Sequence, residues 1–145
     1  MRIKGSRTEC TLRNDPRFIA GIGAVVSHAA CRAGLLEWDQ TEFAAATEEA
    51  CRETLSTLSK IGKRELTVQL AVADFPGRVE VTIEPVTTHR GVRGLTGRAA
   101  VHAVEGVCQT LQRRGVDRVL CETHAHSLRV KLIKYCSHLK AATGD

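Results

Sequence analysis

Aromatic residues are scarce in this 145-residue sequence, which contains one Trp, one Tyr and three Phe. That scarcity argues against a nucleic-acid module, because such modules commonly stack bases on aromatic side chains. No run of about 18 apolar residues occurs, so we expect no membrane-spanning helix. No apolar segment follows the first residues, so we also expect no secretory signal. With 43% hydrophobic and 26% charged residues, the composition predicts one globular domain over residues 1–145.

The six cysteines contain no CxxC pair and are widely spaced. Without a secretory signal, this pattern predicts free thiols in the reducing cytoplasm. Cys121, His124, His126, Cys136 and His138 are residue types that bind zinc. However, Cys136 is expected at the far end of a strand that returns from His126, roughly 30 Å away at about 3.3 Å per residue. We therefore predict no structural zinc.

Charge is unevenly distributed along the chain, whose net charge is +5. Residues 1–84 carry 11 basic and 12 acidic side chains, whereas residues 85–145 carry 10 and 4. One interpretation is ordinary solvated surface. The other is two surfaces of opposite charge on one small domain, suited to charged partners.

Hydrophobic periodicity divides the chain into eight elements. Alternation predicts strands over residues 3–13, 66–73, 79–84, 116–123 and 127–135, and a 3.6-residue period predicts helices over 16–33, 39–62 and 95–114. Asp15 and Pro16 are typical of a helix start, and Gly34 is typical of a helix end. Asp39, with Glu42 three residues later, predicts a capping box at the second helix. Residues 85–94 are predicted to be a loop, and residues 137–145 a frayed tail.

Each predicted strand has one apolar face, and each long helix has one apolar stripe. Phe18 falls on the stripe of the first helix, and Trp38 is expected to pack between the first two helices. The order β-α-α-β-β-α-β-β predicts an α+β fold with two layers, in which helices cover one face of a mostly antiparallel sheet.

Three short segments in this order resemble the histidine-kinase-like (GHKL) ATPase superfamily, and within it the anti-sigma regulatory factors. Residues 46–53 (ATEEACRE) resemble the N-box A-x-x-E-A-x-x-N, residues 91–95 (GVRGL) resemble the end of the nucleotide lid, and residues 116–132 resemble the final hairpin. The resemblance covers about residues 7–136. It implies the histidine-kinase-like fold, ATP and Mg²⁺ as cofactors, and serine/threonine kinase activity on an anti-anti-sigma (STAS) partner.

The resemblance also assigns roles to individual residues. Glu49 falls on the general-base position, and Glu53 replaces the Asn that would hold Mg²⁺, so it is the metal-ligand candidate. Either Glu84 or Pro85 falls where the family has an adenine-binding Asp, and of these two Glu84 is the nucleotide-binding candidate. The remaining nucleotide-binding candidates form the lid: Arg90, Gly91, Arg93, Gly94 and Leu95.

Two elements of the family pattern are missing. Glu53 adds negative charge beside a bound triphosphate, and the adenine-reading D-x-G-x-G motif does not occur near Glu84. These departures predict a degenerate nucleotide site. From the residues alone, Glu49 is also interpretable as a solvated helix-face carboxylate, and Arg90 and Arg93 as part of a basic loop.

Three functional classes remain. The first is a cytoplasmic regulator that binds a sigma factor, a STAS protein or its own copy without using ATP, and the resemblance implies that it is a homodimer. The second is an active ATP-dependent serine/threonine kinase of the same family. The third is a basic nucleic-acid-binding module that uses residues 85–145, which the scarcity of aromatics disfavours.

Overall fold

The computed structural model describes residues 5–13, 16–61, 66–87, 115–124 and 127–136. These residues form two helices and five strands, in the order β1 (Ser6–Arg13), α1 (Pro16–Ala33), α2 (Glu37–Ile61), β2 (Leu66–Phe75), β3 (Arg78–Thr87), β4 (Arg118–His124) and β5 (Ser127–Tyr135). The predicted third helix, the predicted lid and the predicted tail lie outside the described residues.

The five strands form one antiparallel sheet in the order β1-β2-β3-β5-β4. β5 therefore lies between β3 and β4, although it follows both in the chain. Both helices pack on the same face of this sheet, mainly against β2 and β3. The predicted α+β class, with helices on one face of an antiparallel sheet, is confirmed.

The first helix begins at Pro16, as predicted, and ends in a Schellman motif at Gly34. Gly34 has a φ of 96°, a conformation that glycine adopts without a Cβ penalty. The N–H of Leu35 donates to the carbonyl of Ala30 at 3.0 Å, and the N–H of Gly34 donates to that of Cys31 at 3.0 Å. These two bonds satisfy carbonyls that the helix end would otherwise leave unpaired.

The end of α1, the β2–β3 turn and the end of β5 meet at one junction. The carbonyl of Ala33 accepts hydrogen bonds from the N–H of Gly77 at 3.0 Å and from the Sγ of Cys136 at 3.3 Å. The N–H of Cys136 donates in turn to the carbonyl of Gly77 at 2.8 Å. Gly77 follows Pro76 in the turn with a φ of 89°, which favours glycine. The junction fixes the direction in which α1 leaves the sheet.

The core lies between the helices and the inner face of the sheet. Phe43 of α2 is the largest fully buried side chain, with no exposed surface. Alternate residues of the strands complete the core, including Val68, Leu70, Val72, Val79, Val81, Ile83, Val130 and Leu132. Because the side-chain period of a strand is two, the residues between them lie on the outer face of the sheet.

The second helix begins two residues earlier than predicted. Its first backbone bond runs from the N–H of Gln40 to the carbonyl of Leu36 at 2.9 Å, so α2 begins at Glu37. Asp39 therefore lies inside the first turn, and the predicted capping box is wrong. In that turn an acidic side chain still interacts favourably with the helix dipole.

Three other predictions are also wrong. Phe18 is 50% exposed because it lies on the same flank of α1 as the partly buried Val25, rather than at the centre of the stripe. Trp38 is 73% exposed because it lies on the side of α2 opposite to Phe43. Strand β3 extends beyond Glu84 into the first three residues of the predicted loop and ends at Thr87, because β2 provides a partner as far as Leu66.

Candidate functional site

Glu49 and Glu53 lie one turn apart on α2 and share one flank of the helix. Both are half-buried, beside the fully buried Ala50. Glu48 lies on the other flank, where its carboxylate sits over Gly23 of α1. The two flank carboxylates could together hold a cation, because residues four apart on a helix are neighbours.

Glu84 lies on the opposite side of the sheet from these two glutamates. It alternates with Ile83, which is fully buried beneath the helices. The Glu84 carboxylate instead lies 3.4 Å from the Nη2 of Arg129, on the outer face. The structure thus brings Glu49 and Glu53 together but separates both from Glu84. The lid candidates Arg90, Gly91, Arg93, Gly94 and Leu95 lie outside the described residues.

The Cys51 thiol, in α2, is a poor nucleophile near neutral pH. Its pKa is raised to about 12, mainly by burial, with smaller increases from Cys10 and Glu48 and a decrease from Arg52. Because the thiolate is the nucleophilic form, Cys51 is unsuited to covalent chemistry near neutral pH. Burial also raises the pKa of the Cys10 thiol and of the Cys136 thiol.

The prediction that all six cysteines are free is wrong for Cys121, which forms a disulfide. Sequence spacing did not indicate this, because it does not tell which cysteines the fold brings together. The other described cysteines are free thiols: Cys10, Cys31, Cys51 and Cys136. Within the described part of the chain, no group of three or more His, Cys, Asp or Glu side chains is arranged to hold a metal ion.

A groove of about 320 Å³ crosses the outer face of the sheet, and we call it the outer groove. All five strands contribute to its walls. Its floor is low at Ala71 in β2, because small side chains there alternate with the buried Leu70 and Val72. Sequence reasoning missed this groove, although small residues on the polar face of a strand were a visible signal.

Ion pairs line the outer face. The Nε of Arg7 lies 2.8 Å from Glu9, and the Nζ of Lys131 lies 3.6 Å from Glu80. Each pair is partly exposed, so each contributes about 0–1 kcal/mol to stability. Among buried side-chain atoms, the Nε of Arg129 has no hydrogen-bond acceptor.

A buried lysine ties three elements together at the end of the sheet. The Nζ of Lys134 lies 3.9 Å from Asp39 in α2 and 3.7 Å from Asp117, just before β4. The other oxygen of Asp117 accepts a hydrogen bond from the N–H of Tyr135 at 2.7 Å. Only 9% of the Lys134 side chain is exposed, so this cluster is a structural link rather than an open site.

No known protein family profile matches this chain, and no curated protein matches it. Neither described helix is both long enough and apolar enough to cross a bilayer.

Proposed function

We propose that this chain is a cytoplasmic regulator of anti-sigma type that acts by binding another protein, with a nucleotide site too degenerate to use ATP. The observation that carries the proposal is the position of Glu84. Its side chain lies on the outer face, whereas Glu49 and Glu53 lie on α2, above the inner face.

Phosphoryl transfer from ATP requires a base, a metal ligand and nucleotide contacts that converge on one cavity. On α2, Glu49 and Glu53 could serve as the first two. The acceptor that would read adenine at Glu84 is directed away from them and paired with Arg129. A second carboxylate at the Mg²⁺ position also opposes a triphosphate electrostatically. A scaffold with these changes is better suited to binding a protein than to catalysis.

The acidic α2 supplies the charge for such binding. Glu37 is exposed in its first turn, and Glu42, Glu49 and Glu53 are half-buried, whereas Asp39 is paired with Lys134 and Glu48 lies over Gly23 of α1. Charged surfaces of this kind increase association rates with oppositely charged partners. We propose a sigma factor or a STAS protein as the partner, and a homodimer as the working unit.

Calorimetric titration with Mg-ATP and Mg-ADP tests the degenerate site. We expect no binding of either nucleotide, because the adenine contact is missing. Micromolar binding would overturn the proposal and favour the kinase. In that case Glu49→Gln should abolish phosphorylation of a STAS protein, whereas Glu48→Gln, on the other flank of α2, should leave it unchanged.

Titration with purified sigma factor and with purified STAS protein tests the partner. We expect one of them to bind with micromolar or tighter affinity that weakens as salt is raised. Failure of both to bind would refute the regulator. A salt-dependent mobility shift with random duplex DNA would instead favour the nucleic-acid module.

A further inference from the structure

The outer groove carries an ordered pattern of charge that the proposed function does not use. The strand registers place Glu9, Ala71, Thr82 and Lys131 side by side across β1, β2, β3 and β5. Both ends of this row carry a charged side chain: Glu9 on β1, one of whose oxygens is paired with Arg7 at 2.8 Å, and Lys131 on β5. The two positions between them are small, so the groove runs across the strands from a carboxylate to an ammonium group.

The cations at the β5 end have donor capacity to spare. The Nζ of Lys131 lies 3.6 Å from its carboxylate partner, and Arg129 reaches Glu84 at 3.4 Å. Both separations are long for charge-assisted hydrogen bonds, which are typically about 2.7–2.9 Å. A carboxylate placed between these two cations would therefore gain hydrogen bonds without breaking strong ones.

The overall charge of the groove selects the kind of ligand. The charged residues lining it are three of each sign. An ion of one sign would meet as much repulsion as attraction there. A ligand that carries both an ammonium and a carboxylate, oriented along the row, matches both ends.

The length of the row selects the size of that ligand. Three strand spacings of about 4.8 Å place the Cα atoms of Glu9 and Lys131 about 14 Å apart. An extended dipeptide spans about 7 Å at about 3.4 Å per residue, and the two side chains can reach across the remainder. A single amino acid is about half as long and would reach only one end. The groove volume of about 320 Å³ is at the lower end of ligand-pocket sizes.

We propose that the outer groove binds a short zwitterionic peptide, with its ammonium group at Glu9 and its carboxylate at Lys131 and Arg129. The hydroxyl of Thr82 and the low floor at Ala71 would accommodate the peptide bond and a side chain. This site lies on the opposite side of the sheet from α2, so it is independent of the proposed regulatory function.

Titration of ¹⁵N-labelled protein with L-alanyl-L-alanine tests the site, with L-alanine and N-acetyl-alanyl-alanine amide as matched probes. We expect millimolar or tighter binding of the dipeptide, with shift changes at the amides of Ala71, Thr82 and Lys131. Both matched probes should bind at least about tenfold more weakly than the dipeptide. L-alanine is too short to engage both ends of the row, and the capped peptide lacks the two terminal charges.

Two variants and a control locate the interaction. Lys131→Met and Glu9→Gln should each weaken dipeptide binding about tenfold. Arg118→Met, on the same face but outside the groove, should leave it unchanged. Absence of dipeptide binding, equal binding of the capped peptide, or an unchanged affinity in a folded Lys131→Met variant would each overturn the proposal.

Discussion

Replacing Gly34 with alanine should destabilise the fold through the backbone alone. The φ of 96° at Gly34 lies in the left-handed region, where a Cβ costs about 1–2 kcal/mol. A Cβ built there would lie 3.7 Å from the Sγ of Cys136, which is ordinary van der Waals contact. Crowding therefore adds nothing, and we expect a loss of about 1–2 kcal/mol in the free energy of unfolding.

The same substitution at Gly21 should have the opposite effect. Gly21 lies inside α1 with a helical backbone, and a Cβ there would meet nothing within 4 Å. Alanine is favoured over glycine by about 1 kcal/mol in a helix interior. Both substitutions reduce the entropy of the unfolded chain alike, so the comparison cancels that contribution. The two variants should differ by about 2–3 kcal/mol.

Urea unfolding followed by far-ultraviolet circular dichroism measures both variants against the parent. In thermal unfolding, each kcal/mol corresponds to about 2–4 °C for a domain of this size. The reasoning would be refuted if Gly34→Ala were neutral or if both variants shifted in the same direction. Either result would mean that the Schellman motif at Gly34 does not end α1.

Three further predictions concern the interior. Phe43→Ala should cost about 3–5 kcal/mol in urea unfolding because it empties the centre of the core; a loss below 1 kcal/mol would contradict that position. Folding raises the pKa of the Cys51 thiol to about 12. The stability that this shift contributes should be fully present below the pKa of the unfolded thiol, near 9, and should be lost as the pH rises towards 12. Cys51→Ala should reduce this loss of stability at alkaline pH. Lys134→Met should cost about 1–3 kcal/mol, because two mostly buried carboxylates lose their shared cation, and an unchanged Tm would contradict this.

Local patterns in the sequence predicted most of the fold. Pro16 and Gly34 gave the bounds of α1 because their chemistry acts within one turn. Alternation in residues 66–73 and 127–135 predicted β2 and β5 because each strand has one buried face. Errors arose where tertiary contacts determine whether a side chain is buried or exposed. The outward position of Trp38 depends on how α2 lies on the sheet, which its own sequence does not record.

The candidate site was predicted less well than the fold, and Glu84 shows why. The alternation of Val79, Val81 and Ile83 already placed Glu84 on the face opposite to the buried residues. The family resemblance assigned it to the nucleotide site without regard to that face. Small residues in β2 were a visible signal of the outer groove, but its full extent could not have been predicted, because it depends on a strand order in which Lys131 lies beside Thr82. That order is a long-range property of the chain.

The position of β5 between β3 and β4 also has a consequence for synthesis of the chain. After residue 87 has been synthesised, the edge of β3 that pairs with β5 lacks this partner until residue 135 has been synthesised. At about 5–20 residues per second, the ribosome needs about 2–10 seconds for this stretch. An unpaired strand edge is a template for aggregation during that time. A nascent chain halted before residue 127 would keep that edge permanently, so we expect such fragments to depend on chaperones to remain in solution.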